Sequence, residues 1–171
     1  PFLVGGAYAV ARYTGIKRDT KDIDIFVVPE HRDEAMAALR DAGYRVDVPY
    51  PHWLAKAWSG AHFLDIIYGA GNGLTGVDQD WFEHAVNDIV LGVEVRLVAP
   101  EEMIWSKAFV QERERYDGAD IAHLLRALAE DLDWDRLLRR FGENWRVLLG
   151  HLILFGFVYP GERERIPMPV M

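Results

Sequence analysis

Two hydrophobic periods divide the chain. Ile23, Ile25 and Val27 recur at every second position, the spacing of a strand, and Pro29 ends that run. Glu30 to Ala42 follows the helical period instead. Ala35, Met36, Leu39 and Ala42 share one stripe, and Gly43 supplies a stop. Before these, the apolar run Phe2-Leu3-Val4 ends at Gly5-Gly6, and Ala7 to Tyr13 reads as a helix closed by Gly15. After them come a strand from Tyr44 to Val48 and a hairpin of His52–Trp58 with Ala61–Tyr68 around Ser59-Gly60. A glycine loop (Gly69–Gly76), a short helix (Trp81–Val86) and a second hairpin (Asp88–Leu91 with Val93–Val98 around Gly92) complete this part.

Beyond Ala99-Pro100 every segment has the helical period: Glu101–Arg113, Asp117–Glu130, Trp134–Phe141 and Asn144–Phe155. The order predicts an α/β (α+β) fold, a mixed β-sheet flanked by helices over residues 1–99. A C-terminal helical region over residues 100–171 follows it.

Composition narrows the chemistry. The chain has 171 residues, half of them hydrophobic, with no cysteine and a net charge of −8. A disordered chain would be less apolar. A disulfide-stapled module, a thiol nucleophile and a cysteine-rich zinc site all need cysteine. The most apolar late stretch, Val147–Tyr159, is broken by Gly150, His151 and Gly156 and is too short to cross a bilayer. No membrane is expected, and the expected setting is cytoplasmic. The chain opens at Pro1 without Met and reads as trimmed at both ends, so a lost leader would leave no trace.

The charge is uneven. Residues 76–135 carry 5 basic and 15 acidic side chains, net −10, while residues 136–171 carry 6 and 3, net +3. A general nucleic-acid coat does not fit this balance. Arg136, Arg139, Arg140 and Arg146 read as a solvated helix face or a small basic surface. The acidic stretch reads as solvated surface around the helical half.

Candidate chemistry begins at Asp22-Ile23-Asp24. Period two sends both carboxylates to one strand face, where like charges repel unless a cation sits between them. Hard oxygen ligands suit Mg²⁺, or Mn²⁺ in its place. Alone, the pair also reads as two solvated acids. Asp65 stands in the centre of an apolar strand, where an acid is costly unless paired or cation-bound; alone it also reads as an edge-strand acid facing water. Beside the first strand it would complete a trio. Gly5-Gly6 between an apolar strand and a helix brings backbone N–H groups to a helix N-terminus, a phosphate-binding geometry.

Leu3-Val4-Gly5-Gly6, then 15 residues, then Asp22-Ile23-Asp24-Ile25, with Asp65 later, resembles the signature of the DNA polymerase β-like nucleotidyltransferase superfamily. Arg18-Asp19-Thr20 before the acid pair is similar to the AbiEii-type and minimal nucleotidyltransferases of bacteria. So are the lysine-bearing segment Ala99–Lys107 and the segment Arg115–Ile121. The last has Tyr116 where these relatives usually carry lysine.

The resemblance implies a nucleotidyltransferase-fold catalytic core at residues 1–99 and transfer of a nucleoside monophosphate from a nucleoside triphosphate to a hydroxyl. The acceptor would be an RNA or tRNA end, a protein or a small molecule, and pyrophosphate would leave. It implies Asp22, Asp24 and Asp65 as metal ligands and catalytic residues, with Lys107 as a further catalytic residue. Gly5, Gly6, Arg18, Thr20 and Asp120 would bind nucleotide. A cognate antitoxin is an implied partner.

The residues themselves leave alternatives. Lys107 on a mostly apolar helix face reaches either phosphate or solvent. Asp117 suits a helix cap, and Asp120 either pairs with Lys107 or orients the acceptor. Thr20 shapes a turn or touches phosphate. The competing functions are an inactive nucleotide-binding or toxin-partner module of the same fold, a metal-dependent nuclease, and a plain scaffold. In the last, Leu148, Leu149, Leu152, Phe155 and Phe157 would form an interface rather than core.

Overall fold

The structure is a computed structural model that describes residues 1–111, 115–167 and 170. The opening apolar run forms β1 (Leu3–Val4) and turns at Gly5 into α1 (Gly6–Thr14), closed by Gly15 in the left-handed conformation. Next come β2 (Asp22–Phe26), a 3₁₀ turn (Pro29–His31), α2 (Arg32–Asp41), β3 (Arg45–Tyr50), β4 (Leu54–Ser59) and β5 (His62–Ile67). Then α3 (Gln79–Glu83), β6 (Val86–Val90) and β7 (Val93–Leu97) lead into α4 (Pro100–Phe109), α5 (Gly118–Leu128), α6 (Trp134–Phe141) and α7 (Trp145–Val158).

The seven strands form one mixed sheet in the order β3-β4-β5-β2-β1-β7-β6. β2 runs parallel to β5 and β1 parallel to β7, while the remaining neighbours are antiparallel. Alternation along β2 assigns its two faces. Ile25 joins Val27, Met36, Ala55 and Ile66 in a core that includes α2. Phe26 joins Leu3, Val98 and the apolar faces of α1, α3, α4, α5, α6 and α7 in the larger core. Asp22 and Asp24 share the parity of Phe26, so they lie on the helix-rich side of the sheet.

Several boundaries differ from the sequence pattern. The helix expected from Glu30 begins as a 3₁₀ turn, in which the His31 N–H donates to the Val28 carbonyl at 2.9 Å, and α2 starts at Arg32. The helix expected at Trp81–Val86 starts two residues earlier. The Asp78 side chain caps it by accepting from the Trp81 N–H at 3.4 Å, and Val86 already belongs to β6. β4 begins at Leu54 rather than His52. α4 ends at Phe109, and its expected limit at Arg113 lies outside the described residues. α7 runs through Gly156 to Val158; Leu148, Leu152 and Phe155 are core, whereas Phe157 is exposed.

The four late arginines are not one solvated face. Arg136 is buried, donates to both carboxylate oxygens of Glu102 at 2.9 Å and also pairs with Glu101. Arg140 reaches Glu102 at 3.1 Å, Asp78 at 2.6 Å and Asp80 at 2.6 Å. Arg139 and Arg146 remain exposed. The acidic stretch is therefore not all solvated surface: four of its acids neutralise two arginines that sit 34 to 62 positions away and fasten α6 to α4 and to the start of α3.

Candidate active site

Parallel pairing of β2 with β5 sets Asp24 directly beside Asp65, with Asp22 one side-chain repeat along the same face. Oxygens of the three carboxylates lie within 4.8 Å of one another. Thr20 Oγ1 donates to Asp22 Oδ1 at 2.6 Å, and Lys56 Nζ donates to Asp65 Oδ1 at 2.6 Å. Among the described residues no cation pairs with Asp24. Burial first, then the charges of Asp22 and Asp65, push its carboxyl up to about 6, against the opposing pull of Lys107 and Arg115. Asp65 is also raised by burial, with Lys56 opposing. Three converging hard oxygen donors, of which only Asp65 has a cationic partner among the described residues, fit a divalent cation such as Mg²⁺.

The Gly5-Gly6 turn abuts this cluster. The Gly5 N–H donates to the backbone carbonyl of Asp24 at 3.0 Å, and a Cβ at Gly5 would lie 2.3 Å from the Phe26 ring. Gly6 has φ +57° and comes so near Asp24 that a Cβ there would sit 1.6 Å from Oδ2. Only glycine fits, for space and for conformation. The first-turn N–H groups of Gly6, Ala7 and Tyr8 have no acceptor within α1, so they offer an anion site.

Gly6→Ala is accordingly expected to displace Asp24 and remove most activity. Gly15→Ala, also at positive φ (+72°) but with open space around it, should cost only about 1 kcal/mol of stability and leave activity intact. Initial rates and melting curves of the two variants check this.

A second cluster borders the acids. Lys107 Nζ lies 3.0 Å from Asp117 Oδ2 and 2.7 Å from Asp120 Oδ2, and Arg18 Nη2 reaches the same Asp120 oxygen at 2.6 Å. Burial alone would raise Asp120, but hydrogen bonds from Lys107 and Arg18 hold its carboxyl below the ordinary range. Lys107 is thus engaged by two carboxylates and neither snorkels nor stands free.

A cavity of about 540 Å³ opens between the sheet and α4. Gly6, Asp24, Asp65 and Lys107 line it, together with Gly69 and Gly71 of the glycine loop. Arg18 and Thr20 face a neighbouring cleft shared with Ala7 and Tyr8, and Gly5 is buried beneath Phe26. Arg115, the first residue of the segment likened to the bacterial nucleotidyltransferases, lines the cavity too, which also contains residues that the sequence reading passed over: Lys56 and a wall of Tyr50, His52 and Trp53. The Tyr50 and Trp53 rings stack at 5.5 Å. A lone lysine in the mid-strand run Leu54-Ala55-Lys56-Ala57 was the available signal for Lys56.

A glycine turn and helix N-terminus facing carboxylates on two adjacent strands is an arrangement for handling phosphate with a divalent metal. A family model described as "Uncharacterised nucleotidyltransferase" matches residues 2–147, and the chain belongs to that family. It is a nucleotidyltransferase, an enzyme class that transfers nucleoside monophosphates. No curated protein matches the sequence.

Among solved structures, the antibiotic-resistance factor ANT(2'')-Ia in solution is 20% identical, with 88% of this chain and 86% of that one covered and a TM-score of 0.59. The crystal structure of ANT(2'')-Ia in complex with adenylyl-2''-tobramycin is 18% identical, covers 93% and 88%, and has a TM-score of 0.53. The lincomycin-bound lincosamide antibiotic adenylyltransferase LnuA is 19% identical, covers 75% and 87%, and has a TM-score of 0.50. These likenesses establish a shared fold, the nucleotidyltransferase type of mixed sheet flanked by helices.

Proposed function

We propose that this nucleotidyltransferase acts through Asp22, Asp24 and Asp65 and depends on Mg²⁺ or Mn²⁺. The observation that carries the reading is the convergence of three carboxylates beside the Gly5-Gly6 turn. The strand order supports a direction across the site. β1 bears the glycine turn, β2 the acid pair, and β5 the third acid. The triphosphate lies toward the turn, where the first-turn N–H groups of α1 receive phosphate oxygens. The acceptor hydroxyl lies toward Asp65.

A divalent cation, when bound by Asp22, Asp24 and Asp65, supplies charge neutralisation and makes the acceptor hydroxyl more acidic. The acceptor hydroxyl gives its proton to Asp65 as its oxygen attacks the α-phosphorus, the bond between that phosphorus and the bridging oxygen breaks, and pyrophosphate leaves. Asp65 orients the hydroxyl. Lys107 and Arg115 give the cavity positive potential toward the transferring group, and the Arg18–Asp120 contact holds Lys107 in place.

The acceptor is a hydroxyl compound small enough, or with an end small enough, to enter the cavity beside Tyr50 and Trp53. The antibiotic adenylyltransferases of the same fold make small alcohols the first arm of a screen, with total RNA and cell-lysate proteins as the other arms. Incubation with each labelled nucleoside triphosphate and Mg²⁺ should label one arm. EDTA should abolish the labelling, and so should the double change Asp22→Ala and Asp24→Ala in a folded protein. Undiminished transfer by that double variant would sink the reading.

A further inference from the structure

The three acids are not the whole charged row on this sheet face. Register pairs Asp24 with Asp65 across β2 and β5, and Asp65 with Lys56 across β5 and β4. One transverse line therefore holds two carboxylates and then an ammonium. Lys56 donates to Oδ1 of Asp65 at 2.6 Å, with its side chain 24% exposed and that of Asp65 14% exposed. Its ammonium also lies 4.3 Å from the centre of the Phe63 ring, two residues from Asp65 on the same face. A side chain with four rotatable bonds is thus pinned from two directions. Among the described residues it is the one cation that pairs with any of the three acids.

We propose that Lys56 is a positioning residue for Asp65, an inference that rests on the metal-dependent reading above. It fixes one carboxylate oxygen, so that the other is presented to the metal and the acceptor. In the metal-free protein it also stands in for the missing cation, offsetting the repulsion of Asp65 with Asp22 and Asp24. Asp65 lies between it and Asp24, and the glycine turn is further still, so it stands apart from the triphosphate end of the site. Catalytic carboxylates commonly depend on such supporting hydrogen bonds, whose loss typically costs about 10- to 100-fold in activity.

The test uses the full chain. Lys56→Met should lower kcat by about tenfold or more while KM for the nucleoside triphosphate stays within about twofold, and Lys56→Arg should restore most of kcat. Melting curves supply a readout that needs no turnover. In EDTA, Lys56→Met should lower Tm in the wild-type background but not beside Asp65→Asn. Saturating Mn²⁺ should raise the Tm of Lys56→Met by more than it raises the wild type, because the metal replaces the lost charge.

A Lys56→Met protein with wild-type kcat and a wild-type Mn²⁺ shift would overturn the proposal. So would an equal loss of Tm in both backgrounds with no rescue by arginine, the signature of a merely packed side chain. If the wild-type chain transfers no nucleotide at all, the parent reading fails, and the melting curves still decide the role of Lys56.

Discussion

Asp24→Asn is expected to lower transfer by roughly 10³-fold or more and, at the same time, to stabilise the metal-free protein. The first effect follows from removing the central carboxylate of the trio, the one that touches Gly6 on one side and Asp65 on the other. Losing ~4 kcal/mol of transition-state charge stabilisation corresponds to that factor. The second follows from linkage. Burial and two neighbouring acids raise Asp24 to about 6 in the folded chain, whereas an unfolded aspartate titrates near ~3.9.

A carboxyl raised on folding contributes its full share of stability below about pH 4, and that share is lost as pH rises through about 6. Above that range the ionised Asp24 costs the metal-free fold roughly 2 kcal/mol, allowing for partial solvent screening. Asparagine removes the cost. In EDTA at pH 8 the variant should therefore melt about 5 °C higher than the wild type, and the difference should vanish near pH 4. Differential scanning calorimetry across that pH range measures it. An Asp24→Asn protein less stable than wild type at pH 8 would contradict the account of the trio as an assembly of repelling charges.

Arg136→Ala should produce the largest loss of stability in the helical half, about 3–5 kcal/mol. It strands the buried carboxylates of Glu101 and Glu102, whose side chains are 6% and 0% exposed. Arg140 keeps one contact to Glu102 but cannot serve both acids, since its other donors hold Asp78 and Asp80. Arg139→Ala, one position before Arg140 on the exposed side of α6, should stay within about 0.5 kcal/mol. Urea unfolding of the pair separates a buried ionic fastener from a solvated face, which is the distinction that composition could not make.

What the sequence could disclose depended on how local the determining physics was. Period two in Asp22–Phe26 and the glycine stop after α1 are short-range facts, and they were legible with the mixed α/β order and the later helices. The likeness around Gly5-Gly6 and Asp22-Ile23-Asp24 pointed to the nucleotidyltransferase class. Register was less accessible. A turn at Ser59-Gly60 would set Lys56 opposite Phe63. The observed turn at Gly60-Ala61, with Gly60 at φ +61°, sets it opposite Asp65 instead. A displacement of one turn residue was enough to hide the cation beside the third acid. The arginines were hidden for another reason. Arg136 and Arg139 differ by only three positions on one short helix, and which of them is buried depends on where Glu101 and Glu102 arrive from α4. No local pattern encodes that.

The contact between Arg18 and Asp120 joins residues 102 positions apart. During synthesis, the three carboxylates have all emerged by the time β5 is complete, yet Lys107 and Asp120 have not been made. β1, which carries the glycine turn, also lacks its parallel neighbour until β7 arrives at Val93–Leu97. Long-range pairings of this kind form slowly, because chain closure must precede the contacts that reward it. A nascent chain therefore holds a like-charged cluster and an open sheet edge for dozens of residues before the joint that squares Lys107 to the cavity can close. An interrupted translation product ending before α5 would carry the three carboxylates without the Lys107–Asp120 joint beside them.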